Sequence, residues 1–301
     1  MRSPTASGVT RFRQRRTALP NSESSTAPSL GPSGALVPAT SWPWQSYEQQ
    51  TTASPPDDAP VWGHDNDTDH RGQQGSRQGT ARLLLEAGHT VWIGTRDEAR
   101  GRATATELRA RFVPLDVTDD SSVASALTTI ADSGTGLDVV VNNAGIAKRT
   151  SGASPTEALD GPSVLEVFDT YAVGIVWVTE AALPLLKQSE NPVVVNVSSA
   201  LGSFWATHEP SRPASHFVSI AYGASKVAVS MLTVQHAHAY PEIKVNAVEP
   251  GITATALGGG DPGSHPGRPA AESARVVARL ALIGPDGPTA TFHEDDGELG
   301  W

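Results

Sequence analysis

The sequence predicts an α/β protein organised around a doubly wound parallel sheet. Short runs of almost entirely apolar residues, such as 193–197, alternate along the chain with segments of helical period. Strands of this composition are buried on both faces, which happens when helices cover both sides of a parallel sheet. Residues 80–301 are numerous enough to bury one hydrophobic core of this kind.

The predicted elements alternate regularly from residue 80 onward. The first helix begins at Thr80 and ends at Gly88, since glycine commonly follows the last helical residue. Further helices are predicted near 97–110, 119–132, 163–188, around Tyr222 and near 270–281. Strands are predicted at 91–95, 111–115, 137–141, 193–197, 243–248 and, towards the C-terminal end, near 289–293.

Residues 1–79 differ in composition and are predicted to form a separate segment. The first 62 residues are rich in Ser, Thr, Pro, Gly and Gln without a sustained period, which is typical of disorder. The helix from Thr80 runs directly into a strand, as in the second half of a βαβ unit. The first strand of the sheet and the glycine turn after it are therefore predicted to be missing or scrambled, and 80–301 is predicted to be the folded domain.

A slip of the reading frame offers one explanation for these missing elements. GC-rich codons for 64–77, read one nucleotide later, can encode a short apolar strand followed by Thr-Gly-x-x-x-Gly-x-Gly. Such a glycine turn would lead directly into the predicted helix. We hypothesise that 1–79 is disordered or out of frame. An uninterrupted frame in the coding DNA across residues 60 to 80 would refute the second alternative.

Composition argues against several classes of function. The formal net charge of −10, and the lack of a basic stripe beyond the first twenty residues, argue against nucleic-acid binding. No apolar run is long enough to cross a bilayer, and a cytoplasmic location is expected. Cysteine is absent, and the acidic stretch around Asp67 lacks the glycine and glutamate of a calcium loop, so no metal site is predicted.

A tyrosine and a lysine four residues apart indicate acid–base chemistry. Tyr222 and Lys226 lie one turn apart on the same face of a predicted helix. A phenol titrates near pH ~10, and an adjacent ammonium group would lower the Tyr222 pKa toward the range of general acid–base catalysis. This spacing also arises by chance in many soluble helices, so a partly exposed helix without catalytic function is the alternative for the pair taken alone.

Five short motifs occur at or after the ends of predicted strands and on the Tyr222 helix. They are Asp116-Val117, Asn142-Asn-Ala-Gly145, Asn196-Val-Ser-Ser199, Tyr222-x-x-x-Lys226 and Pro250-Gly251-Ile-Thr-Ala-Thr255. In this order the motifs resemble those of the short-chain dehydrogenase/reductase family, in particular its carbonyl-reductase-like members. The resemblance covers about 80–301 and implies a Rossmann-type fold, in which the strand ends line a ligand crevice.

The resemblance implies a dinucleotide cofactor and assigns residues to it. Asn142, Ala144 and Gly145 would lie against the nicotinamide-side ribose, and Asp116 and Val117 would border the adenine. After the sixth family strand, cofactor contacts are implied for Pro250, Gly251, Thr253 and Thr255. The structural alternatives are a tight turn at 142–145, a helix N-terminal turn at Asp116 and an ordinary polar loop after Pro250.

Arg96 follows the strand at 91–95, where the family carries the residue that selects between the two nicotinamide cofactors. An acidic residue there would accept a hydrogen bond from the ribose 2′-hydroxyl, whereas an arginine pairs with a 2′-phosphate. Arg96 therefore favours NADP(H), with NAD(H) as the alternative. The neighbouring Asp97 is expected to face away, as the N-cap of the next helix.

The resemblance also assigns catalytic roles. Tyr222 would donate a proton to a carbonyl oxygen in reduction or accept one from an alcohol in oxidation. Lys226 would hold the nicotinamide ribose hydroxyls, and Ser199 would orient the carbonyl, with Ser198 as the alternative. The expected substrate is a small carbonyl compound or alcohol, and a homo-oligomer is one of the expected assemblies.

Two departures from the family pattern bear on activity. Tyr171 stands where the family usually has an asparagine in the long helix after the fourth strand, so a water-mediated proton relay is either rerouted or weakened. The missing glycine turn would remove backbone N–H groups that hold the pyrophosphate. The alternative to an active oxidoreductase is accordingly a catalytically inert dinucleotide-fold protein or a misread gene product.

Overall fold

The computed structural model describes residues 60–65, 74–146, 159–253 and 267–301, with side chains from Arg77 onward. The disorder predicted for residues 1–59 and the site residue Thr255 lie outside these ranges. Within the described part of the chain, no helix is both long and apolar enough to span a membrane.

Helices and strands alternate along the described chain, as the sequence predicts. The strands are β1 (Pro60–Asp65), β2 (Thr90–Thr95), β3 (Arg111–Pro114), β4 (Val139–Asn142), β5 (Val193–Val197), β6 (Lys244–Val248), β7 (Phe292–Glu294) and β8 (Gly297–Glu298). The helices are α1 (Gln74–Glu86), α2 (Glu98–Leu108), α3 (Asp120–Asp132), α4 (Gly161–Phe168), α5 (Gly174–Leu186), α6 (Phe204–His208), α7 (Ile220–Ala239) and α8 (Ala270–Ala281).

The strands form one sheet in the order β3-β2-β1-β4-β5-β6-β7-β8. All neighbouring strands are parallel except the final pair, β7 and β8, which is antiparallel. The chain winds outward in one direction from β1 to β3 and then returns to β4 on the other side of β1. This reversal creates a crevice at the carboxyl ends of β1 and β4, which is where open α/β sheets bind ligands.

The structure corrects the prediction that the first strand is missing. Residues 60–65 pair in parallel register with β2 over their whole length and with β4 over 61–63, so β1 occupies the centre of the sheet. Each strand of a sheet must pair its backbone N–H and C=O groups with those of a neighbouring strand. Because this pairing depends on the backbone, a segment whose side chains do not favour a strand can still form one. The position of the glycine turn that was predicted to be missing lies outside the described residues. Helix α1 begins at Gln74, ahead of the predicted start at Thr80.

Two apolar clusters lie on opposite faces of the sheet and confirm the predicted double winding. Alternate residues of a strand point to opposite faces. Accordingly, Val140 and Val194 pack in the cluster that includes residues of α3, α5 and α7. Their neighbours Val141 and Val195 pack in the cluster that includes residues of α1 and α8.

The long helix predicted over 163–188 is divided in the structure. A π-helical turn, Asp169–Val173, separates α4 from α5. Wider turns of this kind occur mostly as single insertions in α-helices, frequently at functional sites. Here the turn carries Tyr171, whose side chain is only 5% exposed and packs against residues of α7.

Proline at Gly63 tests the central position of β1. We predict that Gly63→Pro lowers the free energy of unfolding by at least about 1–3 kcal/mol, because it removes a backbone donor from a strand paired on both sides. Gly63→Ala keeps this donor and serves as the control. Urea unfolding measures both variants, and an unchanged midpoint in the proline variant would contradict the placement of β1.

Candidate active site

The predicted catalytic residues meet at the carboxyl end of β5 and the start of α7. Ser199 follows β5 by two residues, and Tyr222 and Lys226 lie in the first two turns of α7. The side chains of Ser199 and Tyr222 lie close enough for Ser199 to lower the pKa of the Tyr222 phenol. Two hydroxyl groups, from segments more than twenty residues apart in the chain, are therefore held together.

Ser198 and Ser199 point in different directions. Ser198 is buried, and its Oγ donates to the carbonyl oxygen of Lys226 at 3.3 Å, inside the contact between β5 and α7. The Ser199 Oγ accepts a hydrogen bond from the backbone N–H of Leu201 at 3.3 Å, and Ser199 also lowers the pKa of the nearby Tyr222 phenol. Because consecutive residues at the end of a strand point in opposite directions, Ser199 and not Ser198 faces Tyr222.

Lys226 is buried behind Tyr222, with only 3% of its surface exposed. Its Nζ donates to the carbonyl oxygen of Val197 at 2.8 Å. The same atom lies 5.5 Å from the ring centroid of Tyr222 and 4.2 Å from that of Tyr171. The Lys226 Nζ therefore lies against one carbonyl oxygen and two aromatic rings.

The structure corrects the expected effect of Lys226 on Tyr222. Burial raises the pKa of Tyr222 above its ordinary value, and the nearby Tyr171 and Glu249 raise it further, whereas the hydrogen bond with Ser199 lowers it. Burial also lowers the pKa of Lys226 to about 7. The sequence argument considered only the attraction between the two groups, whereas burial is the largest influence on the pKa of both.

Glu249 is a residue of the site that the sequence analysis missed. Its carboxylate accepts hydrogen bonds from the backbone N–H groups of Ala200 at 2.6 Å and Gly251 at 3.0 Å. It thereby ties the loop after β5 to the loop after β6. Burial raises the pKa of Glu249, while those two hydrogen bonds and the charge of Lys226 lower it. The one available signal was its position directly before Pro250-Gly251.

Arg77 is a second residue that the sequence analysis missed. It lies in the first turn of α1, and its Nε donates to the carbonyl oxygen of Asn143 at 3.2 Å. Its positive charge lowers the pKa of Lys226, after the larger effect of burial. The contact joins residues 66 positions apart in the chain, and no local pattern marks it.

Asn142 stabilises the centre of the sheet. Its Nδ2 donates to Asn196 at 2.8 Å and to Thr179 at 3.3 Å, and the Nδ2 of Asn196 donates to Thr233 at 2.9 Å. All four side chains are buried. This network links the ends of β4 and β5 to α5 and α7, and so fixes the strand ends between which the site lies.

Ala144 and Gly145 form the small-residue turn after β4. Ala144 packs against the apolar cluster on one face of the sheet. A Cβ atom at Gly145 would lie 3.1 Å from the hydroxyl oxygen of Tyr171, closer than ordinary van der Waals contact. The absence of a side chain at Gly145 therefore keeps this turn close to Tyr171, beside the crevice.

Arg96 and Asp116 form an ion pair at the ends of β2 and β3. Their side chains are 3.6 Å apart, and each is 30% exposed. Asp97 is the N-cap of α2, as predicted, and accepts from the backbone N–H of Arg100 at 3.0 Å. Asp97 is therefore engaged with α2, and the charged partner of Arg96 is Asp116.

Asp116 and Val117 also have structural roles. The Asp116 carboxylate accepts from the backbone N–H of Thr118 at 2.9 Å and from its hydroxyl at 2.7 Å, which closes the turn before α3. Val117 is fully buried and leaves no room for a side chain at Gly174 of α5. The turn alternative raised for Asp116 thus holds, while its second carboxylate oxygen meets Arg96.

The loop after β6 is held in a left-handed turn. Gly251, directly after Pro250, has a φ of 80°, and a Cβ there would lie 2.5 Å from Nε of Arg268. Thr253 donates to the carbonyl oxygen of Gly251 at 3.0 Å, and its hydroxyl also hydrogen-bonds with Ser273 at 2.6 Å. The described part of this loop therefore turns back toward α8.

These residues fit a dinucleotide at the crevice. Parallel strands place their carboxyl ends on one edge of the sheet, so Arg96, the 142–145 turn, Ser199 and the 250–253 loop all line that edge. A partly exposed arginine side chain at one side suits a phosphate.

Comparisons with known proteins point to one family. A sequence profile described as short chain dehydrogenase matches residues 72–261. The chain is 30% identical over 229 residues to a short-chain dehydrogenase/reductase of Stachybotrys chlorohalonatus, covering 71% of this chain and 82% of that protein. It is 36% identical over 190 residues to the cis-4-hydroxycyclohexanecarboxylate dehydrogenase of Sinomonas cyclohexanicum, covering 61% and 71% respectively.

Solved structures show the same fold. The NADPH-bound carbonyl reductase from chicken fatty liver matches with a TM-score of 0.65 and 24% sequence identity, covering 81% of this chain and 95% of that one. At this identity the likeness concerns the arrangement of the strands and helices.

The low pKa of Lys226 makes stability depend on pH. Between about pH 7 and its ordinary value of 10.5, Lys226 is neutral when folded and charged when unfolded, so the unfolded state binds more protons. We predict that the cofactor-free protein gains stability relative to Lys226→Met as pH rises through this window, by up to about 1.4 kcal/mol per pH unit. Urea unfolding at several pH values measures the difference, and a flat difference would contradict the burial of a titrating amine.

Proposed function

Because the chain belongs to the short chain dehydrogenase family, we propose that it interconverts a carbonyl compound and an alcohol by hydride transfer with NADP(H). The named relatives are dehydrogenases and reductases. The observation that carries the proposal is the proximity of Ser199 to Tyr222, close enough to lower the pKa of the phenol, with the buried amine of Lys226 behind them. When bound, the nicotinamide supplies or accepts the hydride.

Tyr222 acts as the proton donor in reduction. Its raised pKa keeps the phenol protonated at neutral pH, which is the state that a donor requires. Ser199, which lies beside the same phenol, orients the substrate oxygen next to Tyr222. The proton moves from the Tyr222 hydroxyl to the carbonyl oxygen, and such general acid catalysis contributes about 10²–10⁴-fold.

Lys226 stabilises the negative charge that develops on Tyr222 as the proton leaves. Its Nζ is 5.5 Å from the Tyr222 ring centroid, and its hydrogen bond to Val197 fixes it there. Charged Lys226 is favoured by Glu249 and disfavoured by burial and by Arg77. Burial of Lys226 therefore opposes the charged form of the amine, which is the form that stabilises the developing charge on Tyr222.

Arg96 supports a preference for NADP(H) over NAD(H). Its guanidinium is partly exposed at the end of β2 and can pair with a 2′-phosphate by forked hydrogen bonds. The carbonyl reductase from chicken fatty liver, which has the same fold, is described with NADPH bound.

Loss of the Tyr222 hydroxyl tests the catalytic proposal. We expect Tyr222→Phe to lower kcat for NADPH-dependent carbonyl reduction by at least about 10²-fold, because the proton donor is gone. Tyr240→Phe is the matched control, since Tyr240 lies at the far end of α7 and bonds to Glu180. Steady-state rates with a panel of ketones and aldehydes measure the effect, and near wild-type rates for Tyr222→Phe would refute the assignment.

Removal of the Arg96 side chain tests the cofactor preference. Hydrogen bonds to a charged group contribute about 1.5–3 kcal/mol, so Arg96→Ala should raise the Kd for NADPH about tenfold or more. The Kd for NADH should change little. Calorimetric titration of both cofactors measures this, with the exposed Arg82 of α1, changed to Ala, as the control. Equal losses for NADPH and NADH would contradict a phosphate-binding role.

A further inference from the structure

Tyr171 is fixed by two hydrogen bonds to a single residue. Its hydroxyl donates to the carbonyl oxygen of Ile146 at 3.1 Å and accepts from the backbone N–H of Ile146 at 3.2 Å. Ile146 directly follows the Asn142–Gly145 turn. The π-helical turn that carries Tyr171 is thereby tied to the loop after β4, and the orientation of the ring is set.

The fixed ring presents its face to Lys226. The Lys226 Nζ lies 4.2 Å from the Tyr171 ring centroid, within the range of a cation–π interaction. Tyr171 also meets the ring of Tyr222 edge-on, with centroids 5.5 Å apart and an interplanar angle of 83°. Tyr171 therefore contacts both members of the proposed proton-transfer pair.

Four groups on four segments of the chain face the Lys226 amine. Glu249 after β6 favours its charge, and Arg77 of α1 opposes it. Tyr222 of α7 and Tyr171 of the π-helical turn contribute aromatic rings. Of the two rings, that of Tyr171 is nearer to Nζ by 1.3 Å, the difference between 5.5 and 4.2 Å. A buried ammonium group, deprived of water, gains most from the closest ring face.

We propose that Tyr171 is a positioning residue for Lys226: its ring face stabilises the ammonium form of the lysine, and its hydroxyl, bonded to Ile146, holds that ring in place. The role deepens the proposed function, on which its catalytic consequence rests. It assigns a function to Tyr171, which stands at the position where the family resemblance predicts an asparagine.

The ionisation of Lys226 can be measured without any enzymatic turnover. The chain contains four lysines, at 148, 187, 226 and 244. Labelling them with ¹³C at Cε gives few NMR signals, and Lys226→Arg identifies the signal of interest. The chemical shift of that signal is followed across pH in the cofactor-free wild type, in Tyr171→Phe and in Tyr171→Leu.

The two variants separate the ring from the hydroxyl. Tyr171→Phe retains the ring but removes its two hydrogen bonds to Ile146, so the titration midpoint of Lys226 should fall by less than in Tyr171→Leu. Tyr171→Leu removes the ring, and the midpoint should fall by about 0.4 to 1.5 pH units. An unchanged or higher midpoint in Tyr171→Leu, or an equal fall in both variants, would overturn the proposal.

Fluorinated phenylalanines at position 171 keep the test decisive if Tyr171→Leu does not fold. Each added fluorine withdraws electron density from the ring face while nearly preserving its shape, which weakens attraction to a cation. The Lys226 midpoint should fall stepwise from phenylalanine through mono-, di- and trifluorophenylalanine. A midpoint that does not depend on fluorination would contradict a cation–π contact.

The pH profile of reduction then links this contact to catalysis. Where charged Lys226 is required, the alkaline limb of kcat/KM should move to lower pH in Tyr171→Leu by the same shift as the NMR midpoint. An NMR shift without activity in the wild type would leave the positioning role supported and the proposed reaction refuted. Activity in the wild type with an unchanged midpoint in Tyr171→Leu would support the proposed reaction and refute the positioning role.

Discussion

A lysine amine with 3% exposure must find partners within the protein, and this requirement shapes the candidate site. The carbonyl oxygen of Val197 binds the amine directly, and the ring of Tyr171 covers it. Glu249 supplies the nearby negative charge that favours the ammonium form. These groups come from β5, the π-helical turn and the loop after β6, so the location of one side chain depends on the mutual position of three elements.

The sheet fixes those elements through buried polar contacts. Asn142 and Asn196 join the ends of β4 and β5 side chain to side chain, and Thr233 continues the network into α7. Because the partners are buried, each lost hydrogen bond would leave an uncompensated polar group. The Glu249 carboxylate accepts hydrogen bonds from the backbone of the loop after β5 and of the loop after β6, and so holds the two loops together. The positions of Ser199 and Tyr222 are therefore set by the sheet and by the contacts between its loops.

Local patterns were sufficient to predict β5 and α8, whose observed bounds match the expected ones, because both have an unambiguous period and clear flanking residues. They were insufficient for β1, since its place depends on backbone pairing with two distant strands. The π-helical turn at Tyr171 is a backbone irregularity that composition does not encode. Contacts of Arg77 and Glu249, and the direction of the Tyr222 pKa, depend on burial and on long-range packing, which spacing alone cannot give.

The central claim is that this cluster directs hydride to a carbonyl carbon while Tyr222 protonates its oxygen. Incubation of the full chain with a ketone and NADPH carrying deuterium at C4, in each of its two stereoisomers, tests this claim directly by mass spectrometry of the product. The account predicts an alcohol with one deuterium on the former carbonyl carbon from one stereoisomer and none from the other. Unlabelled alcohol from both stereoisomers, or no alcohol from a protein that binds NADPH, would contradict it.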